Sequence, residues 1–247
     1  IFEKQYDNPP DIVAYVKNDN DVTEVMDWAV GANVAVIPFG GGTSVTGGVE
    51  PCVSGNYSGV VSIDTTMMDK VLEIDDVSRS ARIQAGAFGP NLEAQLKPHG
   101  YSLRHFPQSF EHSTLGGWIA TRSGGHFATI NTHIDDFVEN IKMVTPSGII
   151  ETRRMPGEGA GPDPDRLIMG SEGSLGLITE AWVQLQTRNK FRGSIAVFFD
   201  DFLEGSEAVR QICQAGLYPS NVRIIDAEEA RVNRISDKDK SILFLGF

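Results

Sequence analysis

Residues 38–48 read PFGGGTSVTGG. This stretch follows a short apolar segment, residues 34–37, which we predict to be a buried strand. Glycines placed directly after a strand let the main chain adopt positive φ angles and approach a ligand closely. Consecutive N–H groups in such a turn form an anion-binding concavity, and Thr43 and Ser44 add hydroxyl donors. The stretch therefore predicts a phosphate-binding loop, with a tight surface turn as an equal alternative.

The charge around this loop limits how it could hold a phosphate. No Lys or Arg occurs between Lys17 and Lys70, so peptide dipoles and hydroxyls would have to supply the attraction. A Rossmann fingerprint is excluded because Val45 stands where its third glycine is required. A Walker A loop is excluded because Gly48 stands where its lysine is required.

Two further regions are rich in small residues. One is PQSFEHSTLGGW (107–118), followed by TRSGGH (121–126), and the other is GSEGSLGLI (170–178). Each alone is typical of a turn. Three such loops near the ends of predicted elements suit a long, bent ligand with many hydrogen-bond acceptors.

The first helix is predicted from one apolar stripe at helical spacing, formed by Val22, Val25, Met26, Ala29 and Val30. We expect Asp21 to cap this helix, Glu24 to complete a capping box and Gly31 to end it.

The remaining segments predict a mixed fold. We predict strands at 60–64, 71–75, 81–85, 138–145, 149–152 and 177–186, and helices from 89 to about 98, at 115–121 and at 163–169. After residues 187–190 the order becomes strand 194–199, helix 202–214, strand 222–226, helix 227–234 and strand 242–247. We therefore predict an α+β domain over 1–190 and the start of an α/β domain over 191–247. Because a protein rarely ends on an apolar strand, we expect further residues after it.

Composition excludes several classes of function. The chain has 247 residues and a formal net charge of −12, which argues against sequence-independent nucleic-acid binding and against docking on an anionic membrane. No apolar run is long enough to insert into a membrane, and residues 1–5 do not resemble a signal peptide, although the chain does not begin with Met. Cys52 and Cys213 are expected to be free thiols, which favours the cytoplasm.

Two kinds of catalytic site lack support in the sequence. The five histidines at 99, 105, 112, 126 and 133 fit no HExxH or similar spacing, so we predict no metal site. No serine occupies a G-x-S-x-G elbow, so a hydrolase triad is not indicated.

At its small-residue loops the chain resembles the PCMH-type FAD-binding domain of the vanillyl-alcohol oxidase/p-cresol methylhydroxylase superfamily. Within it, the resemblance is to the alkylglycerone-phosphate synthase-like branch and its bacterial FAD-linked oxidase relatives. The motifs are PFGGGTS (38–44), STLGGW (113–118), Thr121-Arg122, IKMVTP (141–146) and MGSEGSLGLITE (169–180). The resemblance implies a two-subdomain α+β FAD-binding domain, followed by the start of a cap domain that binds substrate.

The resemblance also implies which residues hold the cofactor. Residues 38–44 would wrap the pyrophosphate, residues 107–117 and 121–124 would line the ribityl chain and flavin, and 172–178 would contact the adenine half or the ring edge. The expected cofactor residues are Pro38, Phe39, Gly40, Gly41, Gly42, Thr43, Ser44, Pro107, Gln108, Ser109, Ser113, Thr114, Gly116, Gly117, Thr121, Arg122, Ser123, Gly124, Glu172, Gly173, Gly176 and Ile178.

Two departures from the family pattern affect the site. In related covalent flavoenzymes an RSGGH string anchors the flavin through its histidine, but here that string lies at 122–126, in the wrong loop. We therefore predict non-covalent FAD. The family's catalytic tyrosine and cap-domain histidines would follow the residues given. Arg223 matches a family arginine that points toward flavin and substrate, with a surface salt bridge as the equal alternative.

Three functions stay open at this point. We favour an FAD-dependent dehydrogenase or oxidase that acts on a small hydroxy acid or similar alcohol. The first alternative is an alkylglycerone-phosphate synthase-type transferase that uses flavin to hold a covalent substrate adduct. The second is a non-catalytic nucleotide-binding module. We expect a small-molecule substrate and consider a homodimer, in the cytoplasm or, for a eukaryotic member, the peroxisome.

Overall fold

A computed structural model describes residues 7–126, 130–157 and 159–247. Its strands are β1 (Ile12–Tyr15), β2 (Val34–Phe39), β3 (Gly59–Asp64), β4 (Val71–Asp75), β5 (Ser80–Gln84), β6 (Tyr101–Ser102), β7 (Val138–Thr145), β8 (Gly148–Glu151), β9 (Leu177–Gln184), β10 (Gln186–Thr187), β11 (Ser194–Phe199), β12 (Asn221–Ile225) and β13 (Ser241–Gly246). Its α-helices are α1 (Asp19–Ala32), α2 (Gly89–Leu96), α3 (Leu115–Thr121), α4 (Pro164–Ile168), α5 (Phe202–Gln214) and α6 (Ala227–Val232). The mixture of helices and sheets confirms the α+β prediction.

A small parallel sheet carries the glycine-rich loop. Its strand order is β1-β3-β2, and Ile12 and Val36 both pair with Val61 of the central strand. α1 connects β1 to β2 and buries the apolar stripe around Met26 against β3. Parallel strands end at the same edge of a sheet, so the loop that leaves β2 lies beside the residue that leaves β3. The N–H of Thr65 donates to the carbonyl of Phe39 there, at 3.0 Å.

The ends of α1 differ from the prediction. The N-cap is Asn18, whose side chain accepts from the N–H of Asp21 at 3.0 Å, while the Asp21 carboxylate accepts from the N–H of Lys17 at 2.8 Å. The expectation that Asp21 caps the helix and Glu24 completes a capping box was therefore wrong. Gly31 does not end the helix either, because Asn33 takes the left-handed cap position with φ 55°.

A larger antiparallel sheet has the strand order β4-β5-β9-β7-β8. Its core contains Leu92 of α2, Trp118 of α3, Phe137 just before β7 and Ile141 within β7. Two of its residues, Val144 and Leu177, belong instead to the core that α1 forms with the small sheet. This shared core joins the two sheets.

Two short strands, β1 and β6, were not predicted. β1 joins the small sheet, and β6 pairs with β10 over two residues each. The predicted strand over 177–186 is divided into β9 and β10 at Leu185. That residue is buried, and its N–H donates to the carbonyl of Arg79 at 2.6 Å instead of continuing the ladder to β7. These strands depend on pairing with distant segments of the chain, which hydrophobic periodicity and strand propensity do not indicate.

The C-terminal region has the predicted order of strand, helix, strand, helix, strand. β11, β13 and β12 form an antiparallel sheet in that order, and α5 packs closely on it. A Cβ added at Gly205 of α5 would lie 2.3 Å from Cδ1 of Ile224 in β12. The assignment of this unit to a separate domain that begins at residue 191 stays a prediction.

No helix in the described ranges combines the length and the apolar character that a membrane crossing requires. The longest of them, α1, has 14 residues.

Candidate functional site

The three small-residue loops surround one cavity of about 480 Å³. A pocket of this size is within the usual range for small-molecule and cofactor sites. Its lining comprises Pro38, Phe39, Gly40, Gly41, Gly42, Thr43, Ser44, Val45, Thr46, Gly48, Val49, Thr65, Ala85, Ser109, Ser113, Thr114, Gly116, Gly117, Trp118, Ala120, Thr121, Arg122, Ser123, Gly124, Glu172, Gly173, Gly176, Leu177 and Ile178. Every expected cofactor residue is in this set except Pro107 and Gln108.

The first and second loops approach so closely that only glycine fits between them. A Cβ at Gly41 would lie 1.9 Å from the carbonyl oxygen of His112, and one at Gly40 would lie 2.4 Å from Oγ1 of Thr114. Gly42 has φ 67°, in the left-handed region. The absence of a side chain therefore has two effects here: it allows the left-handed main-chain conformation at Gly42, and it allows two walls of the cavity to touch at Gly40 and Gly41.

The third loop closes the opposite side of the cavity. Gly173, with φ 85°, packs so that a Cβ would lie 2.8 Å from Cγ of Pro38. Oγ1 of Thr46 donates to Oε2 of Glu172 at 2.7 Å, which connects the first loop with the third. The sequence separations are large, but the three loops form one site.

The glycine loop offers unpaired main-chain donors. Across the described residues, none of the five main-chain N–H groups from Gly40 to Ser44 donates to a protein acceptor. At the start of α3, by contrast, Leu115 and Gly116 donate to the carbonyls of Ala87 and Ala85, at 3.0 and 2.7 Å. The described lining therefore offers a run of free N–H groups that includes Gly40–Ser44, and consecutive donors of this kind suit an anionic ligand.

Among the described residues, the cavity lining contains two that carry charge, Arg122 and Glu172. Nε of Arg122 donates to Oδ2 of Asp135 at 2.9 Å, and Nη1 of Arg166 donates to the same oxygen at 2.7 Å. Burial acts to raise the pKa of Asp135, but the hydrogen bond and positive charge of Arg122 outweigh it, so the pKa lies below its usual range. Arg122 is thus held by a carboxylate and is not a free cation for a phosphate.

Ser123 connects the cavity wall to a buried histidine. Its hydroxyl lies 2.8 Å from Nε2 of His105, whose ring packs edge-on against Trp118 at 5.2 Å. Burial lowers the pKa of His105 to about 4, and the neighbouring His133 acts in the same direction. His105 is therefore neutral at physiological pH and presents an uncharged group behind the cavity wall.

No histidine belongs to the cavity lining, His126 of the RSGGH string included. In the parts of the chain that the structure describes, no group of three His, Cys, Asp or Glu side chains is arranged to hold a metal ion. Cys52 and Cys213 are free in the structure, and both are exposed.

Some lining residues were not expected from the sequence. Thr65 and Ala85 directly follow β3 and β5, and the carboxyl ends of strands were the signal that could have located them. Trp118 lies inside the quoted STLGGW motif but was not expected, whereas Leu177 lies within the expected range 172–178. The others are Val45, Thr46, Gly48, Val49 and Ala120.

Arg223 lies on β12, outside this cavity lining. Its side chain is 55% exposed, and Nη2 donates to Oε1 of Glu229 at 3.0 Å. Arg223 thus forms the surface ion pair that was the alternative to a substrate role. The substrate role of Arg223 stays a prediction.

The arrangement fits a dinucleotide: an extended cavity, a cluster of free N–H groups and no unpaired cation in the described lining. A family profile described as "FAD binding domain" matches residues 10–153. The chain belongs to this family. FAD is therefore the cofactor of this domain, in agreement with the resemblance found in the sequence.

Known proteins extend the comparison. The chain is 35% identical to an alkyldihydroxyacetonephosphate synthase of Trypanosoma brucei brucei over 96% of this chain and 38% of that protein. A solved structure of an alkyldihydroxyacetonephosphate synthase matches 97% of this chain and 48% of its own length, with 35% identity and a TM-score of 0.89. FAD-linked oxidoreductases also match; the glycolate oxidase subunit of Bacillus subtilis is 28% identical over 90% of this chain and 47% of its own. The chain spans less than half the length of these relatives.

Proposed function

We propose that the main-chain N–H groups of Gly40–Ser44 hold the pyrophosphate of FAD. Five free donors in one turn support this proposal, because a pyrophosphate has enough oxygens to accept from all of them. The second loop would line the ribityl chain and the flavin, and the third loop would contact the adenine half or the ring edge. Since Arg122 is paired with Asp135, uncharged groups would provide most of the grip on the phosphates.

Titration of the apoprotein with FAD, followed by flavin fluorescence, tests this proposal directly. We expect saturable 1:1 binding that Gly41→Ala weakens. Acid precipitation of the holoprotein tests the non-covalent prediction, and we expect a colourless pellet with the yellow flavin in the supernatant. A protein of full natural length that binds no FAD would refute the assignment of the cavity, and a yellow pellet would refute the non-covalent prediction alone.

FAD supplies the electron-accepting chemistry when bound, and the chain supplies binding, orientation and electrostatics. The lining near Trp118, Ala85 and Leu177 is apolar and would exclude water from one face of the ligand. Ser123, supported by neutral His105, offers one fixed hydroxyl at the wall. These residues bind and orient; none of them is a candidate acid, base or nucleophile for the substrate.

We propose two candidate reactions, each supported by a different relative. The similarity to alkyldihydroxyacetonephosphate synthases, at 35% identity and a TM-score of 0.89, favours a transferase that exchanges the acyl group of an acyl-dihydroxyacetone phosphate for a fatty alcohol. The similarity to a glycolate oxidase subunit, at 28% identity, supports oxidation of a small hydroxy acid or similar alcohol. The higher identity favours the transferase, whereas the sequence analysis preferred the dehydrogenase or oxidase.

Two assays on the protein in its full natural length separate these candidates. Anaerobic mixing with D-2-hydroxy acids should bleach the flavin absorbance if the enzyme is a dehydrogenase or oxidase. Incubation of acyl-dihydroxyacetone phosphate with a labelled fatty alcohol should yield a labelled ether and free fatty acid if it is the transferase. Neither result, with FAD bound, would favour the non-catalytic module.

A further inference from the structure

The first and third loops are joined by a short chain of hydrogen bonds. Gly48 N–H donates to Oγ of Ser44 at 3.1 Å, Oγ of Ser44 lies 3.2 Å from Oγ1 of Thr46, and Thr46 donates to Glu172 at 2.7 Å. Ser44 is also the last residue of the proposed pyrophosphate loop, Gly40–Ser44. The chain of bonds therefore begins within the anion loop and ends on a carboxylate 128 positions later in the sequence.

The direction of these bonds follows from the single hydrogen that each hydroxyl can donate. A carboxylate only accepts, so the single hydroxyl hydrogen of Thr46 is used on Glu172. The bond between the two hydroxyls must then be donated by Ser44 to Thr46. Ser44 consequently has no hydroxyl hydrogen left for a phosphate and faces its surroundings as an acceptor. This leaves main-chain N–H groups as the donors of the loop and corrects the expectation that the Ser44 hydroxyl donates.

The conformation of Glu172 provides a second, independent observation. Its φ is 49°, in the left-handed region that glycine adopts freely and other residues rarely enter. Its N–H donates to the carbonyl of Ala120 at 3.0 Å, which ties this residue to the end of α3. A glycine would fit with less strain, and Gly173 follows immediately. The presence of Glu at a position that favours glycine therefore indicates that its side chain has a role.

We infer that Glu172 is a positioning residue for the cofactor, which clamps the anion loop in its binding conformation through Thr46 and Ser44. This inference rests on the proposed FAD site. With the clamp made, the free N–H groups of Gly40–Ser44 are held in place before FAD arrives and stay in place around it. When the clamp is broken, the loop opens more often and FAD leaves faster.

The test is the rate of FAD release from the holoprotein, measured as the recovery of flavin fluorescence after dilution. Thr46→Val removes the hydroxyl at nearly constant shape, and we expect release about tenfold faster, the effect of losing one partly exposed hydrogen bond to a charged group. Glu172→Gln keeps an acceptor oxygen at the same reach, and its release rate should stay within about twofold of the original. Thr23→Val is the matched control, because the Thr23 hydroxyl donates to the main-chain carbonyl of Asp19 on α1, outside the cavity lining.

Glu172→Gly separates positioning from support of the fold. Because glycine tolerates the positive φ, the melting temperature of the apoprotein should be equal or higher, whereas FAD release should be as fast as in Thr46→Val. Release from both Thr46→Val and Glu172→Gly within twofold of the original rate would overturn the clamp. If Glu172→Gly does not fold, Thr46→Val decides alone. Failure of the unaltered protein to bind FAD would instead refute the proposed function.

Discussion

At the scale of single residues, Gly41 is the glycine of the cavity lining where a side chain is least tolerated. A Cβ there would meet the carbonyl oxygen of His112 at 1.9 Å, and a main-chain atom cannot rotate away. We expect Gly41→Ala to push the two loops apart, to lower FAD affinity at least tenfold and to destabilise the fold by roughly 1–3 kcal/mol. Isothermal titration with FAD and urea unfolding of the apoprotein would measure the two effects.

Gly31→Ala is the matched control for that substitution. Gly31 lies inside α1 and does not have a positive φ, and a Cβ added to it would have no heavy atom within 4 Å. Alanine is the better helix former, so the change should stabilise the fold by about 0.5–1 kcal/mol and leave FAD affinity unaltered. Equal effects of the two substitutions would show that the close contact at Gly41 is unimportant.

Arg223 offers a test of the substrate side. If it binds the anionic group of the substrate, Arg223→Ala should lower kcat/KM by about 10- to 100-fold, because a charge-assisted hydrogen bond of about 1.5–3 kcal/mol is lost. Glu229→Gln, which alters its partner in the ion pair, should leave kcat/KM within about threefold. An unchanged kcat/KM in Arg223→Ala would leave the surface ion pair as the whole role of this arginine.

The sequence indicated most of the cavity at this scale because its glycines and hydroxyls occur in local motifs. PFGGGTS, STLGGW and GSEGSLG each keep several lining residues within a few positions of one another. Thr65 and Ala85 escaped prediction because their place in the wall depends on strand order, which no local pattern reveals. The bond from Thr46 to Glu172 escaped for the same reason, since 126 positions separate its partners.

At the scale of elements, the start of α1 can be tested by its cap. Asn18→Ala removes the side-chain acceptor of the Asp21 N–H and should lower the free energy of unfolding by about 1 kcal/mol. Asn20→Ala, two residues on, lies inside the helix and should be neutral or slightly stabilising. Chemical denaturation of the two variants compares them. A larger loss for Asn20→Ala would mean that the helix begins elsewhere.

The prediction of this cap failed for a physical reason. The sequence offers two possible capping boxes, three residues apart: Asn18-x-x-Asp21 and Asp21-x-x-Glu24. In each, a side chain that can cap the helix is followed three residues later by a carboxylate. Tertiary contacts choose between them: Asp19, which begins the helix, forms an ion pair with Lys142 of β7. The existence of the helix was thus predictable from the sequence. The position of its first turn depends on β7, which follows it by more than a hundred positions.

The turn between β4 and β5 makes a prediction about acid. The N–H of Ser78 and the Arg154 guanidinium both donate to the Asp75 carboxylate. Together they lower its pKa from an ordinary value of 3.8 to about 2, and the bond from Ser78 has the larger effect. A depressed pKa in the folded state contributes stability that is fully present above about pH 4. That stability is lost as the pH falls from about 4 to 2. Asp75→Asn should therefore flatten the pH dependence of the free energy of unfolding in this interval, and an unchanged slope would contradict the assignment.

At the scale of the whole molecule, the charge distribution predicts how FAD affinity responds to salt. The protein carries a formal net charge of −12, and the cation in the cavity lining is paired. A site that uses lysines or arginines for phosphate weakens as salt rises, whereas one that uses peptide dipoles does not. Between about 50 and 500 mM NaCl we expect the Kd for FAD to change less than about threefold, or to fall slightly as repulsion is screened. Equilibrium dialysis would measure it, and a tenfold rise would point to an unrecognised cation.

The order of the loops along the chain has a consequence for biosynthesis. Pro38 and Ile178, residues of the first and last walls, are 140 positions apart, and neither sheet alone encloses the cavity. A nascent polypeptide therefore has no complete site for the flavin until Ile178 has left the ribosome and both sheets have assembled. Cofactor capture is then a late event, and yellow colour in a cell extract would report that the entire domain, and no smaller part of it, has folded.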